Sequence, residues 1–324
     1  MDKDFSSAEP FRVGFLLVDG FALMSYSAAL EPMRAANLLA GRTLYEMEHL
    51  PVLGAQSVSS SGAVVRATTH IGERVDFDLI IVVAGGDPAR FNDERVFQWL
   101  RHLARRGVQI GGVSGGPVIL ARAGIMTGRR MTVHWEHAPA LDAFEPAVVL
   151  ERTLYVIDRN RMTCAGGTAA LDMMHALITV HHGADFARSV SDWFMHTDIR
   201  PAGRPQRAGL VERYGTTSLP VIQAIELMEN HIADALALEQ LAQLTGLGAR
   251  QLNRLFQDKL GRSTMKFYRD LRLDKADNLL TQSTLSVTEI ALASGFSSSA
   301  HFSQSYRQRF DRSPTARRRQ PRPT

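Results

Sequence analysis

A serine stands among glycines at Gly112-Val113-Ser114-Gly115-Gly116, directly after the apolar run Val108–Val113 and before a helical pattern from Pro117 to Ala123. This is the G-x-S-x-G pattern of a nucleophile elbow, in the strand–turn–helix context where a hydroxyl can attack a carbonyl. A serine hydroxyl is a weak nucleophile unless a base lies within hydrogen-bond reach. The partners later in the chain would be Asp172 with His175, His181 or His182, all on helical patterns with nothing to aim them at Ser114. His134 remains, and one histidine does not make a triad. The favoured reading is therefore a turn without catalysis, whose backbone N–H groups hold a ligand carboxylate. A serine hydrolase or amidase-type enzyme using Ser114 is the alternative.

The rest of that constellation is a pocket rather than a reaction centre. Gly85-Gly86 closes one apolar run, Ser114-Gly115 another, and Cys164-Ala165-Gly166 a third. Glycines at strand ends let a ligand approach the backbone, and helix N-termini there favour an anionic group. His134 can orient a ligand, while Trp135, Phe21 and Tyr26 can face a cationic amine or simply pack. Cys164, the single thiol, reads as a small buried hydrophobe. His181-His182 beside Gly183 reads as a helix end rather than a metal site. The expected ligand-binding residues are Gly85, Gly86, Ser114, Gly115, His134 and Trp135. No catalytic residue, metal or cofactor is expected.

A second constellation repeats itself. Leu238–Ser263 and Val287–Ser313 align as helix, glycine turn, helix. Leu241-Ala242 matches Ile290-Ala291, and Gly246-Leu247 matches Gly295-Phe296. After one extra residue, Leu252, Phe256, Leu260 and Ser263 match Phe302, Tyr306, Phe310 and Ser313. Each copy is a helix-turn-helix pattern, whose second helix enters a major groove. Off the apolar stripe lie Arg250, Gln251 and Arg254 in the first copy, and Ser298, Ser299, His301, Gln304 and Arg307 in the second. These types read guanine, adenine or phosphate. Ser297 or Ser298 is a candidate N-cap. Thr264–Gln282, with Phe267, Leu271, Leu279 and Leu280 inward, predicts a rigid connector between two reading heads.

The elements that position these residues divide the chain. Val13–Val18, Leu79–Ala84, Val108–Val113, Leu154–Ile157 and Arg161–Cys164 read as short strands. Helical patterns alternate with them at Ala22–Leu39, Phe91–Arg106 and Thr168–His181. Continuous apolar strands between helices mean an α/β domain, a parallel sheet covered on both faces. The Pro- and Gly-bearing stretch Arg200–Ser218 reads as a linker. The expected domains are 10–199, a linker over 200–218, and an all-α domain over 219–320.

Composition supports two domains in a chain of 324 residues that is 45% hydrophobic, enough for packed cores. From Ser218 onward the 15 Lys+Arg exceed the 10 Asp+Glu by five, whereas the preceding part carries a net −1. Seven Arg and one acid follow His301, a field suited to a polyanion. One cysteine excludes an internal disulfide, the polar N-terminus leads us to expect no secretory signal, and no apolar run reaches the length of a bilayer span. A cytoplasmic protein without membrane contact is expected.

The repeat, most specifically EIALASGFSSSAHFSQSYRQRFDRSPT, resembles the AraC/XylS family of bacterial transcription regulators over about Leu219–Arg319. It departs from the family where an aromatic residue usually follows the Ser-Pro pair; Ala316-Arg317 stand there after Ser313-Pro314. The first part resembles the class I glutamine-amidotransferase-like superfamily of the PfpI type through Gly85-Gly86, GVSGGPVILARAG, MTVHW and TCAGGTAALDMM. That order is similar to the GlxA-type branch of AraC/XylS regulators. The resemblance implies an elbow cysteine where this chain has Ser114, a following histidine where it has Gly115, and an acid near Ser25. It also implies an activator of catabolic genes answering to a small amino acid or quaternary amine. Its partners would be promoter DNA, RNA polymerase, the effector and a second copy of the chain.

Overall fold

The computed structural model describes residues 9–138, 141, 148–207, 209–282 and 285–319. They form two compact units that divide between Gln206 and Arg207. Arg322 and the expected domain end at residue 320 lie outside the described residues.

The first unit holds a six-stranded sheet of β1 (Phe11–Leu17), β2 (Tyr45–Pro51), β3 (Leu79–Ala84), β4 (Gln109–Ser114), β5 (Tyr155–Asp158) and β6 (Arg161–Cys164). Their order is β2-β1-β3-β4-β6-β5, parallel throughout except for the antiparallel edge pair β6–β5. The strand period of two divides each apolar run between two cores. Leu79, Ile81 and Val83 join one core with α1 (Leu23–Ala40), α4 (Ala169–His182) and α5 (Ala184–Trp193). Ile80, Val82 and Ala84 join the other with α2 (Glu94–Arg105) and α3 (Gly116–Arg122). Burial on both faces explains why these runs are apolar without alternation. A Cβ at Gly116 would overlap the Val82 carbonyl, so glycine is what lets α3 sit against β3.

At the end of α4, His181 is buried against Phe11 and Tyr45, its Nδ1 3.0 Å from the Tyr45 hydroxyl. It is a packed side chain of the sheet's edge. Burial, with the neighbouring His182 adding to it, pushes its pKa down to about 3. The folded unit thus holds the neutral ring, while the unfolded chain protonates near pH 6.5. Stability from this group is complete above that value and falls on acidification, by about 1.4 kcal/mol per pH unit. Urea titrations at pH 7.5, 6 and 5 should show this loss, reaching about 2 kcal/mol by pH 5. The His181→Gln variant should lose one proton's worth of that slope; an unchanged slope would assign the dependence elsewhere.

The second unit is helical. It begins with α6 (Leu210–Tyr214) and α7 (Leu219–Asn230). The first head is α8 (Leu238–Leu244) and α9 (Ala249–Leu260), followed by the connector α10 (Thr264–Gln282). The second head is α11 (Val287–Ala293) and α12 (Ser299–Phe310), with α13 (Pro314–Arg319) after it. The equivalent turn glycines, Gly246 and Gly295, adopt φ of +71° and +72°, the left-handed region that ends each leading helix cheaply. Ser286 and Glu289 cap α11 reciprocally, with Ser286 N donating to Glu289 Oε2 at 2.6 Å and Glu289 N to Ser286 Oγ at 3.2 Å. Phe267 and Tyr268 of α10 complete the first head's core; Leu273, Ala276, Leu279 and Leu280 complete the second's.

Within Arg200–Ser218, expected as a linker, described residues on each side of the division are tied to the unit they adjoin. Arg200–Gln206 is hydrogen-bonded onto the first unit, and α6 packs through Leu210 and Tyr214 into the first head's core.

Candidate functional site

The apolar stripes fix which residues of the two trailing helices face out. Leu252 and Phe256 of α9, and Phe302 and Tyr306 of α12, are buried at equivalent positions. Arg250, Gln251 and Arg254 are exposed on α9, as are Ser298, Ser299, His301, Gln304 and Arg307 at or on α12. Gln251 corresponds to His301, and Arg254 to Gln304. Ser298 is the N-cap of α12, its Oγ accepting from His301 N at 3.2 Å. Arg254 makes one loose intrahelical ion pair, to Asp258 at 3.7 Å, with 85% of its side chain exposed. Such a pair costs little to break.

The arginine-rich tip differs from its sequence expectation. Arg309 pairs with Asp274 at 2.7 Å and Arg317 with Asp277 at 2.9 Å, while Arg318 donates to the Leu285 carbonyl. Acids of α10 thus neutralise part of the positive field, and these arginines fasten the second head. Arg307 and Arg319 remain exposed. Net charge along a sequence could not show this, because the acids lie some thirty to forty residues upstream.

In the first unit, β3 and β4 are neighbours, so Gly85-Gly86 and Ser114-Gly115 come together at their carboxyl ends. Ser114 has φ of +61° and is 7% exposed, the strained geometry of an elbow. The His134 backbone N–H donates to the Ser114 carbonyl at 3.3 Å, which brings His134 and Trp135 to the same end of the sheet. Ser25 stands where the resemblance implied an acid; its Oγ accepts from Gly167 N at 2.7 Å. The expected backbone donors are already engaged: Gly115 N–H bonds the Ala84 carbonyl at 3.0 Å, and Gly166 N–H bonds Cys164 Sγ at 3.3 Å.

The glycines also have packing reasons. A Cβ at Gly85 would lie 2.6 Å from the Gly20 carbonyl oxygen, and one at Gly115 3.0 Å from Pro88. Gly86, with φ of +64°, faces open space. Cys164 is fully buried, and burial pushes its thiol pKa up to about 12, the behaviour of an inert core residue.

The groups of the hydrolase alternative are held by other partners. His175 Nδ1 is 2.9 Å from Ser191 Oγ, and His181 bonds Tyr45. Asp172, fully buried in α4, accepts from Arg200 N at 2.9 Å, Nε at 2.9 Å and Nη2 at 2.7 Å, and lies 2.8 Å from His196 Nε2. Arg200 also reaches Thr168 Oγ1 at 2.9 Å, next to Gly166-Gly167. Six residues on, Gln206 Nε2 donates to Thr132 Oγ1, the Val133 carbonyl and the Thr153 carbonyl at 3.0, 2.9 and 2.8 Å. The strap Arg200–Gln206 is therefore fastened beside two loops of the elbow, Gly166–Thr168 and Val133–Trp135. A lone acid in the apolar stretch AALDMMHALITV was the sequence signal for this clamp. Its partners, 24 and 28 residues away, carried none.

Two helix-turn-helix heads on one connector, in a chain that also carries an elbow-bearing α/β unit, define a DNA-binding transcription regulator with a PfpI-type domain. Family comparison agrees: the helix-turn-helix domain model matches residues 241–320, and the DJ-1/PfpI family model matches residues 11–180. The chain belongs to the transcription regulators that join a DJ-1/PfpI domain to an AraC-type helix-turn-helix domain. It is 44% identical over 309 residues to the HTH-type transcriptional regulator GlxA of Rhizobium meliloti (strain 1021), covering 95% of each. It is 41% identical over 304 residues to the HTH-type transcriptional regulator CdhR of Pseudomonas aeruginosa, covering 93% of this chain and 89% of that one. A solved AraC family transcriptional regulator from Pseudomonas putida matches with TM-score 0.53 and 25% identity, over 57% of this chain and 100% of that one. Among the described residues no helix is long and apolar enough to cross a membrane.

Proposed function

We propose that the protein is a cytoplasmic, effector-responsive activator that grips promoter DNA with both heads and works with RNA polymerase as a homodimer. The observation that carries this reading is the pair of heads with exposed Arg254 and Gln304 at matching positions. The effector is a small amino acid or quaternary amine, the class implied by the GlxA-type resemblance. Because the elbow's Gly115 and Gly166 N–H groups are engaged, side chains carry its recognition: Ser114, His134 and Trp135, over the open face of Gly86. Trp135 suits the cationic end. Arg200–Gln206 is the mechanical link, since a ligand that shifts either loop shifts an anchor of the chain leading to the heads. Coupling is then a population shift towards the arrangement that engages DNA.

A thermal-shift screen of the whole protein against arginine, betaine, carnitine and related amines tests the effector class. Gel shifts and transcription assays with any hit test the response. A hit should raise the melting temperature of the first unit, and Ser114→Ala or Trp135→Ala should weaken that shift. No shift and no change in transcription with any amine would remove the effector class. The elbow is non-catalytic in this reading, so generic esters and amides should be turned over no faster by wild type than by Ser114→Ala. A burst of product that vanishes in the variant would restore the hydrolase.

A further inference from the structure

The two heads have separate cores: among the described residues none belongs to both, and α10 serves each. A single helix between two bodies leaves their mutual angle soft. Here the angle is held by two clamps. In the first, Asp270 of α10 takes Arg262 Nη1 on Oδ2 and Arg309 Nη1 on Oδ1, each at 3.2 Å. Arg262 directly follows Gly261, the C-cap of the first recognition helix, and Arg309 belongs to the second recognition helix. Arg309 is held further by Asp274, with Nε at 3.0 Å and Nη2 at 2.7 Å from Oδ1. One carboxylate, with 14% of its side chain exposed, thus ties the residue that follows the first reading helix's cap to the second reading helix.

The second clamp uses Tyr268 and Arg272. Tyr268 Oη donates to the His231 carbonyl in the loop before the first head. Arg272 Nε donates to the Ser294 carbonyl at 2.8 Å, its Nη2 donates to the Gly295 carbonyl, and its guanidinium lies 4.4 Å from the Phe296 ring centre. Gly295, the turn of the second head, abuts that same loop so closely that a Cβ would overlap the Ile232 carbonyl oxygen. Asp270 and Asp274 lie two residues from Tyr268 and Arg272, a rotation of about 200° on an α-helix. The clamps therefore grip the connector from opposite sides.

We infer that Asp270 and Gly295 are specificity-determining positions that set the spacing the protein accepts between its two DNA sub-sites, although neither is among the outward-facing residues. One base pair inserted between sub-sites moves the second by about 3.4 Å and about 34° around the duplex. A rigid pair of heads cannot follow that displacement without giving up base contacts, and a loosened pair can.

The test uses the full-length protein and sites selected from randomised DNA with the wild type. Its reading is the ratio of Kd for the selected site to Kd for sites with one base pair added or removed between sub-sites. Wild type should discriminate by about tenfold or more, the loss of at least one base contact. Asp270→Asn and Gly295→Ala, shown to be folded by circular dichroism, should bring both spacings to within about threefold of each other. If Gly295→Ala does not fold, Arg262→Gln, which removes one arm of the ionic clamp, takes its place. A wild type indifferent to spacing overturns the inference. So do folded variants that keep the wild-type ratio, including variants whose affinity falls equally for every spacing.

Discussion

Replacing Arg254 and Gln304 together by alanine is expected to abolish most of the protein's preference for its operator while leaving its grip on DNA in general. The two side chains occupy equivalent outward positions, two residues after the buried Leu252 and Phe302. Arginine suits guanine and glutamine suits adenine in the major groove, and each good contact contributes about 1–3 kcal/mol of discrimination. They lie on different recognition helices with separate cores, so their losses should add. The sum is roughly 2–6 kcal/mol, or about 30-fold to over 10⁴-fold in the ratio of specific to non-specific affinity. The solvent-exposed Arg254–Asp258 pair offsets little of this, since such pairs contribute only about 0–1 kcal/mol. Arg307→Ala is the contrast: a lost phosphate contact weakens all sequences alike and lowers the salt slope by about one. Competition binding over several salt concentrations separates the two outcomes. Undiminished selectivity in the double variant would mean that these side chains do not read bases.

What is legible in the sequence depends on how local each cause is. The repeat was legible because a glycine turn, an apolar stripe and an N-cap are all set within a few residues. The helical pattern Thr264–Gln282 coincides with α10 to its last residue for the same reason. The central strands were legible because burial on both faces leaves no polar residue in Leu79–Ala84. The strand Tyr45–Pro51 carries no such continuous run. As an edge strand it alternates apolar residues with Glu46 and Glu48, which pair with Arg12 and Arg74. Helix Ala184–Trp193 also escaped, hidden behind the glycine that ends α4. In the site, the elbow was visible from its glycines, but the use of its donors was not. Gly115 N–H is taken by a carbonyl on the neighbouring strand, and only the three-dimensional pairing shows it. The fastening of Arg200 and Gln206 is not legible for a similar reason. Its anchors, Asp172, Thr132 and Thr153, come from distant parts of the chain.

Removing the clamp on that strap should have the largest effect on stability and, separately, on signalling. Arg200→Met leaves the Asp172 carboxylate, which has no exposure to water, with the backbone N–H of residue 200 and with His196. Breaking a buried ion pair from one side costs about 3–5 kcal/mol, because the charge that stays inside has lost its guanidinium. The first unit should melt well below wild type, while the second, which has its own cores, should still bind selected DNA. Adding Asp172→Leu to make the double variant removes the stranded charge, and stability should recover most of the loss. The strap's ties to α4 and Thr168 are not restored by that exchange, so the double variant should be folded and should bind effector. It should also fail to change its transcription when effector is added. Effector binding, melting temperature and promoter response measured on wild type, single and double variants separate the two roles. A double variant that is folded and answers effector as wild type does would leave the clamp a structural fastening and place the coupling elsewhere in the chain.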